Sequence, residues 1–416
     1  MGDFRFLSEE EIARLDLLRV SIDSPTGYIV DCDLDYPDHL HDDHSDYPLA
    51  AEHLEITADM LSARAKSLRR DGWKPSTKLV PNLYDKKRYV THYRNLQLYV
   101  ARGLTLRKMH RVLSFSQSRW LKPWVDLCTA QRQNAASEFE SDLAKLKANC
   151  VYGKTIEQVR NRVNIALFSN ERKLRKALCK PSYRNATIVN PELTMVRSAL
   201  QKVTLNKPIA VGFCILELSK LFMYDFWYGF LRAKYGRRCR LLFTDTDSLC
   251  CEIETSDVYA DMGGAALQHF DTSNFPVDHP LYSTVNHRRV GKMKSETGST
   301  PPTEFVGLRS KMYSLKCGDG MSHKRVKGAK KSCVRKRVDH DAFLRILNDN
   351  LSSTRARFRQ FRSTNHVVRT VELDKLCLVA FDDKRSLNDD GIETLAYGHY
   401  SLRRRPVDDI AATADE

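Results

Sequence analysis

Short alternating and apolar runs mark strands in this chain, and longer helically spaced runs separate them. Residues 8–16 carry helical spacing, with Ser8 as N-cap before Glu9-Glu10-Glu11. Gly27-Tyr28-Ile29-Val30 reads as a buried strand that delivers Asp31-Cys32-Asp33. Asp35-Tyr36-Pro37 ends it, because proline cannot stay in a central ladder. Residues 38–48 are rich in His and Asp and read as a loop; residues 49–72 read as a helix with a basic end (Arg64, Lys66, Arg69, Arg70). Strand-like alternation runs through 88–116, including Leu104, Leu106 and Val112. A long helix is predicted over 134–160. Pro181 and Pro191 bracket a linker-like segment after the basic run Arg172-Lys173-Leu174-Arg175-Lys176. Pro208 opens a core helix over 211–235 that Gly236 ends. Strands and helices mix without strict alternation, so the fold class is α+β.

One stretch carries more chemistry than the rest. Phe243-Thr244-Asp245-Thr246-Asp247-Ser248 lies between the apolar runs Leu241-Leu242-Phe243 and Leu249-Cys250-Cys251-Glu252-Ile253. That pattern reads as strand, tight turn and strand, with the acids at the bend. Carboxylates held about 4 Å apart repel by about 4 kcal/mol in a partly screened site. A divalent cation relieves that repulsion, and Mg²⁺ favours one or two carboxylates with phosphate oxygens. An isolated D-x-D is more often a solvated turn, so the hairpin needs company. Asp31 and Asp33, at the end of their apolar strand, supply a second carboxylate group. A third group is Lys145, Asn149 and Tyr152, whose spacings of four and seven place them on one helix face. A cation, an amide and an aromatic on one stripe suit a nucleotide, with the lysine on phosphates and the ring against a base.

Charge narrows the partner. The net charge is +15 over 416 residues, with 42% hydrophobic residues. Such an excess points to an anionic partner, nucleic acid first. The densest basic run is 323–337, with Lys324, Arg325, Lys327, Lys330, Lys331, Arg335, Lys336 and Arg337. The eleven cysteines form no C-x-x-C and read as reduced thiols of an intracellular protein. His39, His41 and His44 have no cysteine partner, which argues against zinc. The N-terminus carries no apolar signal segment and no myristoylation pattern. Val211 to Leu231 is interrupted by Glu217, Lys220 and Asp225, so it reads as a core helix and no membrane is implied.

Taken in order, these groups resemble the motifs of family B DNA polymerases, in particular the protein-primed branch of phages, organellar plasmids and Polinton-like transposons. Asp31-x-x-x-x-Tyr36-Pro37 is similar to motif A, and Lys145-x-x-x-Asn149-x-x-Tyr152-Gly153 to motif B. Thr244-Asp245-Thr246-Asp247-Ser248 is similar to motif C, and Lys311-Met312-Tyr313 to the K-x-Y motif. The flanks also resemble transposon-borne members, from Gly27 to Leu49, Tyr89 to Leu121, and Phe381 to Tyr400.

The resemblance implies a right-hand polymerase fold: an antiparallel palm sheet with helical fingers and thumb. It divides the chain into a palm segment with motif A (1–37), palm with an insertion-like region (38–119), fingers (120–210), palm with motif C and K-x-Y (211–320), thumb (321–405) and a disordered tail (406–416). Asp31, Asp245 and Asp247 would be catalytic. Asp31, the Cys32 backbone carbonyl and Asp247 would hold two Mg²⁺ ions, with Mn²⁺ as a substitute. Asp33 is the alternative ligand, since Leu34-Asp35 departs from the usual motif. Tyr36 would be the steric gate under the sugar, and Lys145, Asn149, Tyr152 and Gly153 would meet the incoming deoxynucleoside triphosphate. Ser141 stands where relatives often carry a second phosphate-binding lysine, and Arg132 is a weak substitute, facing away from Lys145 on a straight helix.

Lys311, Tyr313 and the run Lys324, Arg325, Lys327, Lys330 and Lys331 would contact primer-template DNA. A terminal priming protein is a further expected partner. About thirty residues precede Asp31, so the exonuclease domain of the family is expected to be absent, and with it proofreading. The rival expectations are a catalytically inactive DNA-binding remnant of a transposon or viral polymerase, and a two-metal nuclease.

Overall fold

A computed structural model describes residues 1–69, 72–349, 354–364 and 367–404. Arg70 and the expected tail from 406 lie outside those residues. The chain divides into two units: Met1–Asn134 with Leu216–Phe358 and Leu373–Glu416, and Ala135–Ile215 with Arg359–Glu372.

The first unit is built on a four-stranded antiparallel sheet. Its strands are β1 (Gly2–Phe6), β2 (Thr26–Asp35), β3 (Lys86–His92) and β4 (Thr105–Ser116), in the order β1-β4-β2-β3. Alternation along β2 sends Val30, Cys32 and Leu34 into the core, where each is fully buried. Asp31, Asp33 and Asp35 therefore share the opposite face. Gly27 is required by packing, since a Cβ there would lie 2.5 Å from the Phe115 ring. Ser8 caps the helix Glu9–Arg14 in a reciprocal capping box with Glu11, as the pattern predicts.

Two expectations are corrected in this unit. The run 88–116 is not strand throughout: helix α1 (Tyr93–Ala101) separates β3 from β4. Its buried Tyr93, Leu96 and Tyr99 recur every three residues, a helical spacing hidden among strand-formers. Segment 49–72 contains a strand, Glu52–Ile56, paired with Ser76–Val80, and only a short helix, Ala63–Ser67. Leu54 and Ile56 alternate inward there, and Ile56 packs with Leu61, Ala65, Val379, Phe381 and Tyr397.

The 38–48 loop holds two helical turns, Asp38–Leu40 and His41–His44, with His41 and His44 buried. The Tyr36 hydroxyl meets His44 Nδ1 at 2.8 Å, and the Tyr400 N–H donates to His41 Nδ1 at 3.0 Å. His399 Nε2 lies 3.2 Å from Asp42. His41 and Asp42 thereby tie the segment after β2 to residues 399 and 400.

The core helix runs as Ile209–Tyr224, a π-helical stretch Asp225–Leu231 and a last turn Arg232–Tyr235. Trp227 on it is fully buried among residues of β2 and α1. No helix among the described residues is long and apolar enough to cross a membrane.

In the second unit, Ser137 caps helix α2 (Glu138–Thr155). The expected linker across 181–191 is instead the strand Tyr183–Asn190, which pairs with Leu193–Ser198; Asn164–Phe168 completes a three-stranded antiparallel sheet. Tyr183, Thr187, Ile188 and Val189 are strand-formers, and the bracketing prolines disguised them.

Burial pushes His44 and His92 each down to about 4 from 6.5. A base depressed in the fold adds stability that is complete above about 6.5 and is lost as pH falls towards about 4. Tm followed by circular dichroism should therefore drop across that window, and His44→Gln should flatten part of the drop. A Tm independent of pH there would contradict the assignment.

Candidate active site

The three acids of β2 face a matching set of bases. Arg111 lies opposite Asp31 in the β2–β4 register, and its Nε is 3.2 Å from Asp31 Oδ2. From the other neighbouring strand, Arg88 brings Nη2 to 2.9 Å from the same oxygen. Asp33 Oδ1 accepts the Arg88 N–H at 2.8 Å and lies 2.9 Å from His110 Nε2. Arg107 pairs with Asp35. The backbone hydrogen bond from Arg88, and then His110, hold the Asp33 carboxyl below the usual carboxylate range. Asp31 is 6% exposed, and its Oδ1 is buried with no hydrogen-bond partner. Burial, reinforced by the Asp31 and Asp33 charges, pushes the Cys32 thiol up to about 12, so it stays protonated near neutral pH.

The acidic hairpin forms as its sequence predicts. Strands β5 (Cys239–Thr244) and β6 (Leu249–Ile253) pair antiparallel around the turn. The Asp247 N–H donates to the Asp245 carbonyl at 2.8 Å, and Thr246 takes a left-handed φ of +63°. A β-branched residue there is an outlier that the surroundings must hold. Cys239, Leu241, Leu249, Cys251 and Ile253 pack into the same core as Val30, Cys32 and Leu34, so the hairpin and β2 stand on one foundation. The free edge of β5 is braced twice. Asp46 accepts the Leu241 N–H at 3.1 Å, and Glu393 takes Arg240 at 2.7 and 2.9 Å.

A second hairpin docks against the first. Strands β7 (Pro302–Arg309), β8 (Met312–Cys317) and β9 (Ser322–Val326) form an antiparallel sheet. Lys311 sits at its tip with φ +59°, and its Nζ is 2.9 Å from Asp245 Oδ1. Tyr313 stacks on Phe243, with ring centroids 4.1 Å apart. The structure thus brings Asp245, Lys311 and Tyr313 together. Asp247 is exposed at the turn.

The other expected residues take varied positions. Tyr36 is 3% exposed; its hydroxyl meets His44 and accepts the Leu49 N–H at 3.2 Å, and burial pushes that hydroxyl well above its ordinary pKa. Lys324 donates to the Val338 carbonyl at 2.8 Å, whereas Arg325, Lys327, Lys330 and Lys331 are exposed. In the second unit, Lys145 and Asn149 are exposed and Tyr152 is half-buried on α2, while Ser141 and Ala144 face inward. A Cβ on Gly153 would meet nothing within 4 Å, so packing within its unit does not demand the glycine. Arg132 belongs to a separate helix, Lys122–Gln133, and its carbonyl accepts from Arg288. Arg132 thus precedes the break between that helix and α2, outside the long helix expected over 134–160.

Sequence reasoning passed over Arg88, Arg107, His110 and Arg111. The basic string Arg107-Lys108-Met109-His110-Arg111 was the available signal. The orphaned Oδ1 of Asp31 is an anionic atom that fits a hard cation, and the donor set is all oxygen. Among the described residues, no three His, Cys, Asp or Glu side chains gather as a metal-binding group. A cation would therefore need oxygens from water or a bound phosphate as well.

No protein-family model matches the chain, and no curated protein matches it. Solved structures of Phi29 DNA polymerase are similar. The orthorhombic crystal form has a TM-score of 0.47 at 13% identity, covering 86% of this chain and 52% of that one. The ternary complex with primer-template DNA and incoming nucleotides has a TM-score of 0.45 at 13% identity, covering 85% and 51%. The binary complex with primer-template DNA has a TM-score of 0.44 at 14% identity, covering 86% and 51%. The chain spans about half the length of those polymerase chains.

Phe243 fastens the two hairpins, so Phe243→Ala should cost about 2–3 kcal/mol in denaturant unfolding, somewhat under a fully buried aromatic. Thr246→Gly should raise stability by up to about 1 kcal/mol, because glycine tolerates positive φ. A loss of stability in Thr246→Gly would mean that the Thr246 side chain, and not the turn, holds this geometry.

Proposed function

We propose that this chain is a template-directed DNA polymerase that adds deoxynucleotides to a primer 3′-hydroxyl. The observation that carries the reading is the orphaned carboxylate oxygen of buried Asp31, on a strand that shares its core with the acidic hairpin. Two Mg²⁺ ions are the expected cofactor, with Asp31, Asp247 and the Cys32 carbonyl as ligands and Asp33 as the alternative. When bound, such ions lower the pKa of the attacking hydroxyl and neutralise the leaving pyrophosphate.

The chain's own residues have distinct tasks in this reading. Lys311 holds Asp245 in place by their ion pair and carries a cation to the primer end. Tyr313, stacked on Phe243, sets the angle of that hairpin. Lys145 neutralises the triphosphate, while Asn149, Tyr152 and Gly153 line the base pair, with Arg132 as a minor contributor. Tyr36 acts from within the core, as the floor beneath the sugar. Arg325, Lys327, Lys330 and Lys331 follow the phosphate backbone of primer-template DNA, a sequence-blind contact. Lys324, committed to a carbonyl, serves there through position more than charge. Phosphoryl transfer asks mainly for positioning and charge neutralisation, which these groups supply.

A second reading has one observation in its favour. Asp31, Asp33 and Asp245 are each already paired with a basic side chain. A DNA-binding protein without catalysis would look this way.

Primer extension separates the two. Purified chain with primed template, Mg²⁺ and deoxynucleotides should extend the primer. Asp247→Ala and Asp31→Asn should reduce extension to background while leaving DNA binding nearly intact. Binding without extension by the wild-type chain would favour the second reading. In either case, six or so phosphate contacts predict a fall in DNA affinity of about a thousandfold between about 50 and 200 mM salt, measured by fluorescence anisotropy. An affinity that ignores salt would exclude both.

A further inference from the structure

The arginines on Asp31 are arranged in a way that cation binding alone does not explain. Both Arg88 and Arg111 sit on Oδ2, leaving Oδ1 orphaned. Arg88 holds its place through a left-handed backbone, φ +54°, fixed by its N–H bond to Asp33. The two side chains are 53% and 62% exposed. Each guanidinium has five N–H donors in a planar fork, and these pairs use few of them. The remaining donors face solvent beside the carboxylate.

Two consequences follow from that geometry. A divalent cation approaching Oδ1 meets two positive charges within a few ångströms, which opposes its binding. A phosphate oxygen approaching the same place meets two forks suited to bidentate contact. Anion and cation therefore assist each other here, and neither is favoured alone.

We propose that Arg88 and Arg111 form a phosphate-responsive counterion pair, so that Asp31 accepts a divalent cation only together with a phosphate-bearing ligand. The inference rests on the reading of Asp31 as a cation ligand. By themselves the arginines compensate the buried carboxylate. When a phosphate arrives, their free N–H groups turn to its oxygens, and the charge they withdraw from Asp31 is replaced by the cation. No bond is made or broken in this exchange. The phosphate belongs either to a deoxynucleoside triphosphate or to the primer-template backbone.

The test is Mn²⁺ binding to the full chain, followed by the electron paramagnetic resonance signal of free Mn²⁺ and corrected for Mn²⁺ held by free nucleotide. The wild-type chain alone should bind weakly. Arg88→Gln and Arg111→Gln should each bind Mn²⁺ about tenfold more tightly, since a repelling charge has gone. Arg88→Lys and Arg111→Lys, which keep the charge, should stay near wild type.

Adding a non-hydrolysable deoxynucleoside triphosphate in one arm, or primer-template DNA in the other, should tighten Mn²⁺ binding by wild type. The arm that responds names the source of the phosphate. The same additions should do little for the glutamine variants. A merely structural role predicts the reverse sign, with weaker Mn²⁺ binding in the glutamine variants. Unchanged or weakened Mn²⁺ affinity in folded Arg111→Gln, or no response of wild type in either arm, would overturn the proposal. Asp31→Asn controls the foundation. If it binds Mn²⁺ as wild type does when the phosphate ligand is present, the reading of Asp31 fails and the inference with it; if it loses that binding while the glutamine variants alone match wild type alone, the inference alone fails.

Discussion

A carboxylate on the buried part of a sheet must be compensated, and that constraint organises the first unit of this protein. Strand β2 places Asp31, Asp33 and Asp35 at alternate positions, roughly 6.6 Å apart along one face. Left alone, they would repel one another and lose hydration. The neighbouring strands answer with Arg111, His110 and Arg107 on one side and Arg88 on the other. Compensation is incomplete at one atom, Asp31 Oδ1. Breaking a partly buried pair on one side costs far more than the pair itself contributes, so the ladder constrains the sheet as a whole.

The acidic hairpin is held from several directions. Its apolar strands rest on the core beneath β2, Asp46 and Glu393 brace its free edge, and the Lys311 hairpin grips its turn. Thr246 and Lys311 both take left-handed backbone, and an ion pair joins the two tips through Asp245. Strain at two facing turns persists only where neighbours over-determine it. The C-terminal residues complete the support: Glu393 meets Arg240, and Tyr400 meets His41. Residues far apart in the chain thus meet around β5 and the segment that follows β2.

Particular residues show how legible this was. The D-x-D hairpin, the capped helix at Ser8 and the long helix before Gly236 follow from local pattern, because turn chemistry and capping act over a few residues. The histidines of 38–48 read as loop residues, yet His41 and His44 are buried hydrogen-bonding partners. Their burial depends on Tyr36, Tyr228 and Tyr400, which lie elsewhere in the chain. Segment 49–72 misled because its charged residues have good helix propensity, while the pairing of Glu52–Ile56 with Ser76–Val80 overrides that preference.

By itself, the amino-acid sequence singled out the candidate groups: the aspartates of 31–35, the D-x-D turn, the Lys145 stripe and the basic excess. These are chemical identities and short spacings, which need no partner to be read. Only the tertiary structure decided that Arg88 and Arg111 converge on one oxygen of Asp31, that Tyr36 is sealed in the core, and that Lys311 closes on Asp245. Each of those depends on strand register and on packing between distant segments, and a shift of one residue in β4 would turn Arg111 to the other face.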